Sequence, residues 1–195
     1  MGEDVVCDPH QGVFLDSPDL GALKVAADRA RSDGRDAVFL SDGPLGDAIV
    51  LAAGLASGTP GILLGIRINL GNEPHRHPTV LAREMTSLDH VCGGRSVLAF
   101  AAPFSGAVAE AITLCRAMWR HGVAASEGPY YPVAGAINNP RPTSERGPLV
   151  ALDLTDGSVP DAGLLALCDL VVIPAGAVRP ASLPTGVDVC QILGA

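Results

Sequence analysis

The chain has 195 residues, of which 48% are hydrophobic, 17% charged and 4% aromatic. That length suits one domain with a real hydrophobic core, whereas two domains would each be small. The formal net charge is −8, and Lys and Arg form no cluster. This balance argues against nucleic acid and against an anionic membrane as partners, because both need concentrated positive charge.

Cysteine usage and hydropathy point to the cytoplasm. The five cysteines are scattered and include no CxxC pair, whereas a disulfide framework would be denser. The acidic N-terminal stretch lacks the pattern of a signal peptide. The most apolar stretch, residues 48–70, is broken at 57–61 and stays below the roughly 18–20 apolar residues that a membrane helix needs.

Short apolar runs alternate with helical patterns along the chain. Strands are predicted at residues 13–15, 36–40, 61–70, 95–102, 148–154, 169–173 and 187–193. Helices are predicted at residues 20–32, 46–56, 77–91, 105–121 and 161–167, and residues 124–142 are irregular or form a hairpin. Alternating strands and helices require a parallel sheet, and seven strands favour an α/β barrel. A complete eightfold barrel usually takes about 250 residues, so this barrel is expected to be trimmed or incomplete.

Two stretches of the chain carry a series of short motifs. The first contains His77-Pro78, Ala82-Arg83-Glu84, Leu88-Asp89 and Gly93-Gly94-Arg95. The second contains Glu110-Ala111, Trp119-Arg120, Glu127-Gly128, Tyr130-Tyr131 and Asn139-Pro140-Arg141-Pro142. Together with the second strand, which ends at Ser41-Asp42, this series resembles the luciferase-like monooxygenase family over roughly residues 20–172, in the right order.

The resemblance implies a TIM-type barrel that forms a single domain over residues 1–195, with a reduced C-terminal part from about residue 148. It implies an oxidoreductase or monooxygenase that acts on a small organic substrate. The family's cofactors are reduced FMN or the deazaflavin coenzyme, bound at the C-terminal ends of the strands. It also implies dimerisation through early helices. An incomplete barrel leaves apolar helix faces exposed, and a homodimer or a full-length relative would cover them, with residues 46–56 and 78–91 as the interface.

Five residues are the predicted cofactor-binding set: Asp42, Asn69, Ala101, Ala102 and Phe104. Asp42 follows the second strand, where it either bonds a flavin or caps the next helix. Asn69 follows the third strand, where its amide either touches a flavin edge or belongs to a turn with residues 71–72. The other three form the turn after the fourth strand. We assign no catalytic residue from the sequence.

The sequence departs from the family where the cofactor binds. Gly43 stands where many members have His, and residues 99–103 lack a Gly-x-Gly turn. The insertion after the fourth strand is almost absent. An alternative function is therefore a non-catalytic relative, which binds a flavin-like ligand or serves as a dimer partner that covers open strand edges and apolar helix faces.

Other polar residues have structural as well as functional interpretations. Arg67 is the only charge in the third strand. Asp153 and Asp156, at the end of the fifth, are either an acid–base pair or an ordinary strand-to-loop turn. Residues 174–176 offer backbone N–H groups that could bind phosphate, but the segment lacks the glycines of a phosphate-binding loop, so the signal is weak. Gly93-Gly94-Arg95 should lie on the opposite, stabilising end of the barrel.

The histidines and aromatic residues do not clearly predict a metal site or a ligand pocket. His75-x-His77 has a spacing that some metal sites use, with His10, His90 and Cys7 as conceivable further ligands. A helix start at His77 and a surface loop at His75 explain the spacing better, so no metal site is predicted. Residues 115, 118 and 119 are predicted core at helical spacing. Tyr130 and Tyr131 either line a pocket or belong to a hairpin over the barrel floor or edge.

Overall fold

The computed structural model of this chain describes residues 10–43, 46–71 and 76–193. Its strands are β1 (His10–Leu15), β2 (Ala37–Ser41), β3 (Leu63–Ile68), β4 (Ser96–Ala101), β5 (Val123–Ser126), β6 (Val133–Ile137), β7 (Leu149–Asp153), β8 (Leu170–Pro174) and β9 (Asp188–Ile192). Its helices are α1 (Leu20–Ser32), α2 (Ala48–Leu55), α3 (Pro78–Cys92), α4 (Gly106–His121) and α5 (Ala162–Leu165). Every strand and helix predicted from the sequence is present, with differences only at the ends. Within the described ranges, no helix has the length and apolarity to cross a membrane.

Seven of the strands form one closed parallel barrel in the order β1-β2-β3-β4-β7-β8-β9. The ring closes where β1 pairs with β9, with His10 beside Cys190 and Gly12 beside Ile192. The predicted α/β barrel is therefore confirmed, and it is trimmed to seven strands. The expectation of open strand edges is wrong for these strands, because closure pairs each of them on both sides.

Side chains of the barrel strands divide into two apolar layers, because successive residues of a strand point to opposite faces. The outward layer packs against the helices and includes Leu64, Ile66 and Leu98. The inward layer fills the barrel with Ala37, Phe39, Val97, Ala99, Ala151, Leu170, Val172 and Cys190. Phe39 is the largest side chain of this inward set, and most of the others are small.

The helices that follow the barrel strands begin at residues suited to capping free N–H groups. Asp19 caps α1 and Asp47 caps α2 through a carboxylate oxygen. His77 caps α3, which has Pro78 in its first turn. Ser105 occupies the predicted N-cap position of α4, but its side chain makes no capping hydrogen bond.

Arg95 holds together the end of the barrel at which the strands begin. Its guanidinium donates to the carbonyl oxygens of Ala56, Thr59 and Ile62 at 3.1, 2.6 and 2.5 Å. These bonds join the connection between α2 and β3 to the start of β4. The structural placement predicted for this segment is confirmed.

Helix α4 packs on α3 and carries the hairpin that follows it. Cys115, Met118 and Trp119 are buried, as predicted. The Trp119 indole N–H donates to the Ala82 carbonyl of α3 at 3.0 Å. Strands β5 and β6 then pair antiparallel outside the barrel, which confirms the predicted hairpin.

The filled barrel interior leads to a first prediction, at Gly65 on β3. A Cβ atom at this position would overlap the Phe39 ring. We expect Gly65→Ala to lower the free energy of unfolding by about 1–3 kcal/mol, the usual cost of overpacking a filled core. Urea denaturation followed by circular dichroism measures the loss.

Gly58→Ala is the matched control, because a Cβ there meets only the Leu55 carbonyl oxygen at 3.7 Å. Adding Phe39→Leu to Gly65→Ala should recover part of the loss by making room for the new methyl group. An unchanged unfolding curve for Gly65→Ala alone would contradict a filled interior.

Candidate functional site

An arginine and an aspartate lie side by side inside the barrel, where the strands end. Arg67 is on β3 and Asp153 is the last residue of β7, and Arg67 Nε donates to Asp153 Oδ2. Both belong to the inward-facing sets of their strands, above Gly65 and Ala151. The C-terminal end of the strands is where barrels of this kind carry their functional sites. We term this end, together with the connections that leave it, the barrel mouth.

The Asp153 carboxylate is 2% exposed and fully engaged. Oδ1 accepts from the backbone N–H and the hydroxyl of Thr155 at 2.9 and 2.6 Å, while Oδ2 accepts from Arg67. A buried charge is tolerated when it is paired and hydrogen-bonded in this way. Asp153 therefore holds Arg67 in place.

Asp156 does not pair with Asp153. Its carboxylate accepts from the backbone N–H and the hydroxyl of Ser158, each at 2.9 Å. These bonds, the backbone one first, lower the pKa of Asp156. Because each carboxylate has its own partners, the acid–base pair considered from the sequence is not formed, and the turn interpretation accounts for both residues.

The Arg67 guanidinium stays partly open to solvent at the mouth. The side chain is 32% exposed, and Cζ lies 5.6 Å from the centre of the Phe14 ring, within cation–π range. Among the described residues, only Nε of this side chain has a hydrogen-bond partner. Arg67 is therefore a fixed cation whose terminal N–H groups have no hydrogen-bond partner among the described residues.

One hydrogen bond joins the predicted site residues after β3 to those after β4. Asn69 Nδ2 donates to the Ala102 carbonyl at 2.6 Å, and Asn69 Oδ1 accepts from the Gly71 N–H at 2.7 Å. Ala101 is buried, and Phe104 is half-buried against the outward apolar layer. The structure thus groups these four residues at the mouth, where Asp42 also lies because it follows β2, and the Asn69 amide serves the turn that the sequence also allowed.

Asp42, the fifth predicted residue, lies in an ion-pair cluster. Arg76 Nη1 donates to Asp42 Oδ2, Nη2 donates to Asp47 Oδ2 at 2.5 Å, and Nε lies 2.9 Å from Glu84 Oε2. The other Asp42 oxygen accepts from the Ala48 N–H at 3.3 Å, so Asp42 also supports the start of α2. We term Arg76 with its three carboxylates the Arg76 cluster.

The Arg76 cluster sets one positive group against three negative ones. Burial alone lowers the pKa of Arg76, but Asp42, Glu84 and Asp47 together raise it above its ordinary value. Burial also raises the pKa of Glu84; Arg76 lowers it, and Asp47 and Asp42 raise it further. The cluster thus contributes excess negative charge to the mouth.

The tip of the β5–β6 hairpin lies on the mouth side of the molecule, not on the barrel floor. Glu110 of α4 accepts from the backbone N–H groups of Tyr130 and Tyr131 at 3.1 and 2.7 Å. The Tyr131 ring meets His77 edge-on, with ring centres 5.4 Å apart. Because His77 caps the start of α3, the hairpin tip stands beside the connection that follows β3.

The residues considered as metal ligands are dispersed. His77 caps α3, and His90 Nε2 lies 2.7 Å from a backbone carbonyl oxygen. His10 begins β1, and Cys7 and His75 lie outside the described residues. Over residues 10–43, 46–71 and 76–193, no group of three or more His, Cys, Asp or Glu residues is arranged to hold a metal ion.

Two surface clefts lie away from the predicted set. One, of about 280 Å³, is lined by α3 residues and by residues 138–140 after β6. The other, of about 610 Å³, is lined by Trp119, Arg120 and residues 141–146. Neither includes a predicted cofactor residue.

Sequence reasoning noted Arg67 and Asp153 separately but did not pair them. A signal was available, because a charge at an inward position of a buried strand needs a partner at the same level. Nothing in the sequence indicated the Arg76 cluster, whose members come from separate connections and helices.

The family model for luciferase-like monooxygenases matches residues 3–106, more than half of the chain. The chain belongs to that family. The match covers β1–β4 and therefore includes Arg67 and Asn69, whereas Asp153 lies beyond it. No curated protein matches the chain.

Solved structures share the fold at low sequence identity. Coenzyme F420-dependent tetrahydromethanopterin reductase from Methanopyrus kandleri has a TM-score of 0.70 and 16% identity, over 86% of this chain and 56% of that one. The oxygenating constituent of 3,6-diketocamphane monooxygenase from Pseudomonas putida, in complex with FMN, has a TM-score of 0.66 and 18% identity, over 86% and 57%. Monooxygenase RslO1 from Streptomyces bottropensis has a TM-score of 0.62 and 15% identity, over 85% and 70%. This chain spans a little over half the length of the first two, and the likeness to all three is one of fold.

The Arg67–Asp153 pair leads to a second prediction. We expect Arg67→Met to lower the free energy of unfolding by about 3 kcal/mol, because it leaves a buried carboxylate without its counter-charge. Combining it with Asp153→Asn should recover most of that loss, since no charge then remains buried. Urea denaturation of both variants is the measurement, and equal losses in the two would contradict the pairing.

Proposed function

We propose that this chain binds a flavin-type ring, from a flavin or a deazaflavin coenzyme, at the barrel mouth. We propose further that it acts there as a redox enzyme on a small organic substrate. The observation that carries the proposal is the Arg67 guanidinium, which Asp153 holds inside the barrel while the side chain stays 32% exposed. Neighbours described as F420-dependent and as FMN-bound support the class of cofactor.

The donors at the mouth suit the ring of such a cofactor. A flavin-type ring is flat and aromatic and carries carbonyl acceptors, which the terminal N–H groups of Arg67 match. Phe14 lies under that guanidinium, and Ala101 adds a small apolar side chain at the end of β4. A positive charge held beside the ring favours its reduced, more negative form.

A bound ring supplies hydride transfer, or reaction with oxygen once it is reduced. The residues of this chain hold and tune it. Asp153 fixes the guanidinium of Arg67, which donates hydrogen bonds and stabilises negative charge. The Asn69–Ala102 bond keeps two mouth connections together. Among the described residues we assign no general base, because the Asp153 carboxylate is already engaged.

The test is titration of the purified chain with riboflavin, FMN and a 5-deazaflavin, each oxidised and reduced. Binding of the oxidised forms is measured by the fluorescence of the ring. Binding of the reduced forms is measured by calorimetry under anaerobic conditions. We expect micromolar binding of at least one ring, about −8 kcal/mol, with the reduced form bound more tightly. Arg67→Lys, which keeps the charge, should retain this preference for the reduced form, and Arg67→Met should lose it.

Failure of every ring to bind would overturn the proposal and leave the non-catalytic alternative. Binding without a preference for the reduced form would contradict the role proposed for Arg67, which is to stabilise the negative charge of the reduced ring.

We also propose that a second copy of the chain covers α2. This helix consists of apolar residues on all sides, and such a helix is normally buried. Val50 of α2 is nevertheless 66% exposed in the single chain. On α3, Val80 and Val91 are 47% and 59% exposed, so both helices of the predicted interface present valines to solvent.

Sedimentation velocity tests this association. We expect the unmodified chain to sediment as a dimer and Val50→Glu as a folded monomer, because the substitution places a charge in an apolar contact. Val178→Glu is the matched control, since Val178 is 87% exposed and lies in the connection after β8. A monomeric unmodified chain at every concentration would overturn the proposal.

A further inference from the structure

We infer that the barrel mouth selects a flavin-type ring without a phosphate group, such as riboflavin, over its phosphorylated form, FMN. The inference rests on the proposed function, because it names the form of ring that the proposed site takes. It follows from the way in which the charges around the mouth are paired.

The two arginines nearest the strand ends both face carboxylates. Arg67 is matched by the buried Asp153, so that pair has no net charge. Arg76 faces three carboxylates within its cluster. A phosphate monoester carries nearly two negative charges at neutral pH, and neither guanidinium offers it a net positive partner.

The rim of the mouth adds further negative charge. Four exposed aspartates stand on the connections that leave the strands: Asp16, Asp19, Asp156 and Asp161. Arg179, in the connection after β8, donates instead to the carbonyls of Pro184 and Val187, close to the start of β9. The connection residues outside the described ranges, 44–45 and 72–75, include no Lys or Arg in the sequence.

Many of the backbone N–H groups at the mouth, the other usual partners of phosphate, are also engaged or covered, although α4 begins without a side-chain cap. Side chains cap α1, α2 and α3. The Tyr130 ring lies against Gly106 at the start of α4, where a Cβ atom would come within 2.9 Å of it. In the turn after β8, the Ala177 N–H donates to the Pro174 carbonyl at 3.2 Å.

Ring and phosphate therefore meet different charges. The ring meets the Arg67 guanidinium at contact distance, where one fixed cation dominates. The phosphate of FMN is at the far end of a flexible chain, so with the ring at Arg67 it would reach the carboxylates of the rim. Repulsion from exposed charges acts over a Debye length and fades when salt is added.

The experiment compares riboflavin with FMN, which differ only by the phosphate. Each is titrated into the purified chain at about 0.01 M and about 1 M ionic strength, where the Debye length is about 30 and about 3 Å. We expect riboflavin to bind at least about tenfold more tightly at low ionic strength, a difference of about 1.4 kcal/mol. The two affinities should converge at high ionic strength.

A matched pair of variants places the effect at the mouth. Asp16→Lys reverses a rim charge that makes no hydrogen bond or ion pair with the described residues. It should strengthen FMN binding several-fold at low ionic strength and leave riboflavin binding unchanged. Asp33→Lys alters the net charge equally but follows α1 at the opposite end of the barrel, so its effect on FMN affinity should be clearly smaller, and riboflavin binding should again be unchanged.

The outcomes separate the two proposals. Equal or tighter binding of FMN at low ionic strength overturns this inference and leaves the proposed function standing. Failure of both ligands to bind overturns the proposed function, and this inference with it. An equal gain of FMN affinity in the two lysine variants overturns the assignment to the mouth.

Discussion

Closing a barrel with seven strands limits which side chains can face its interior, because the interior narrows as strands are removed. Phe39 occupies the space left by two glycines. A Cβ at Gly12 would lie 3.2 Å from its ring and 2.9 Å from Cys190 Sγ, and a Cβ at Gly65 would overlap the ring. The low aromatic content of 4% and the abundance of small residues suit such an interior. Packing inside the barrel therefore depends on the absence of side chains at Gly12 and Gly65, which leaves room for the Phe39 ring.

The same geometry explains why charge is tolerated only at the end of the interior. Arg67 lies one inward position beyond Gly65, where its apolar stem stays inside the barrel while its head reaches solvent. Asp153 ends β7 at the same level and supplies the opposite charge together with two acceptor positions for Thr155. One inward position deeper, at Gly65, the Phe39 ring leaves no room even for a Cβ atom. The position along β3 thus decides whether an arginine is tolerated: it is at residue 67, near the end of the strand, and it is not deeper in the barrel.

The sequence predicts some parts of this structure better than others. Apolar runs and helical periodicity predict the barrel, and alternation along β3 places Arg67 on the same face as Gly65. Pairing Arg67 with Asp153 also requires knowing that β5 and β6 lie outside the barrel, which makes β7 the neighbour of β4. That contact joins residues 86 positions apart, and no local spacing reports it. The hairpin direction was likewise open, because it depends on backbone N–H groups bonding to Glu110.

Holding the ring of a cofactor and facing its tail would fall to different parts of this chain. The two groups proposed to face a ring, Arg67 and Asp153, belong to strands and cannot change one at a time without disturbing the barrel. Charges that would face the tail of a cofactor lie on the connections, which tolerate substitution because little packs on them. Family membership rests on residues 3–106, which hold Arg67 but not its counter-charge. The Arg67–Asp153 pair therefore requires both parts of the barrel. Asp19 and Asp161 cap α1 and α5, which ties these two rim charges to the fold. Asp16 makes no side-chain hydrogen bond or ion pair with the described residues, so it is the rim charge most free to change.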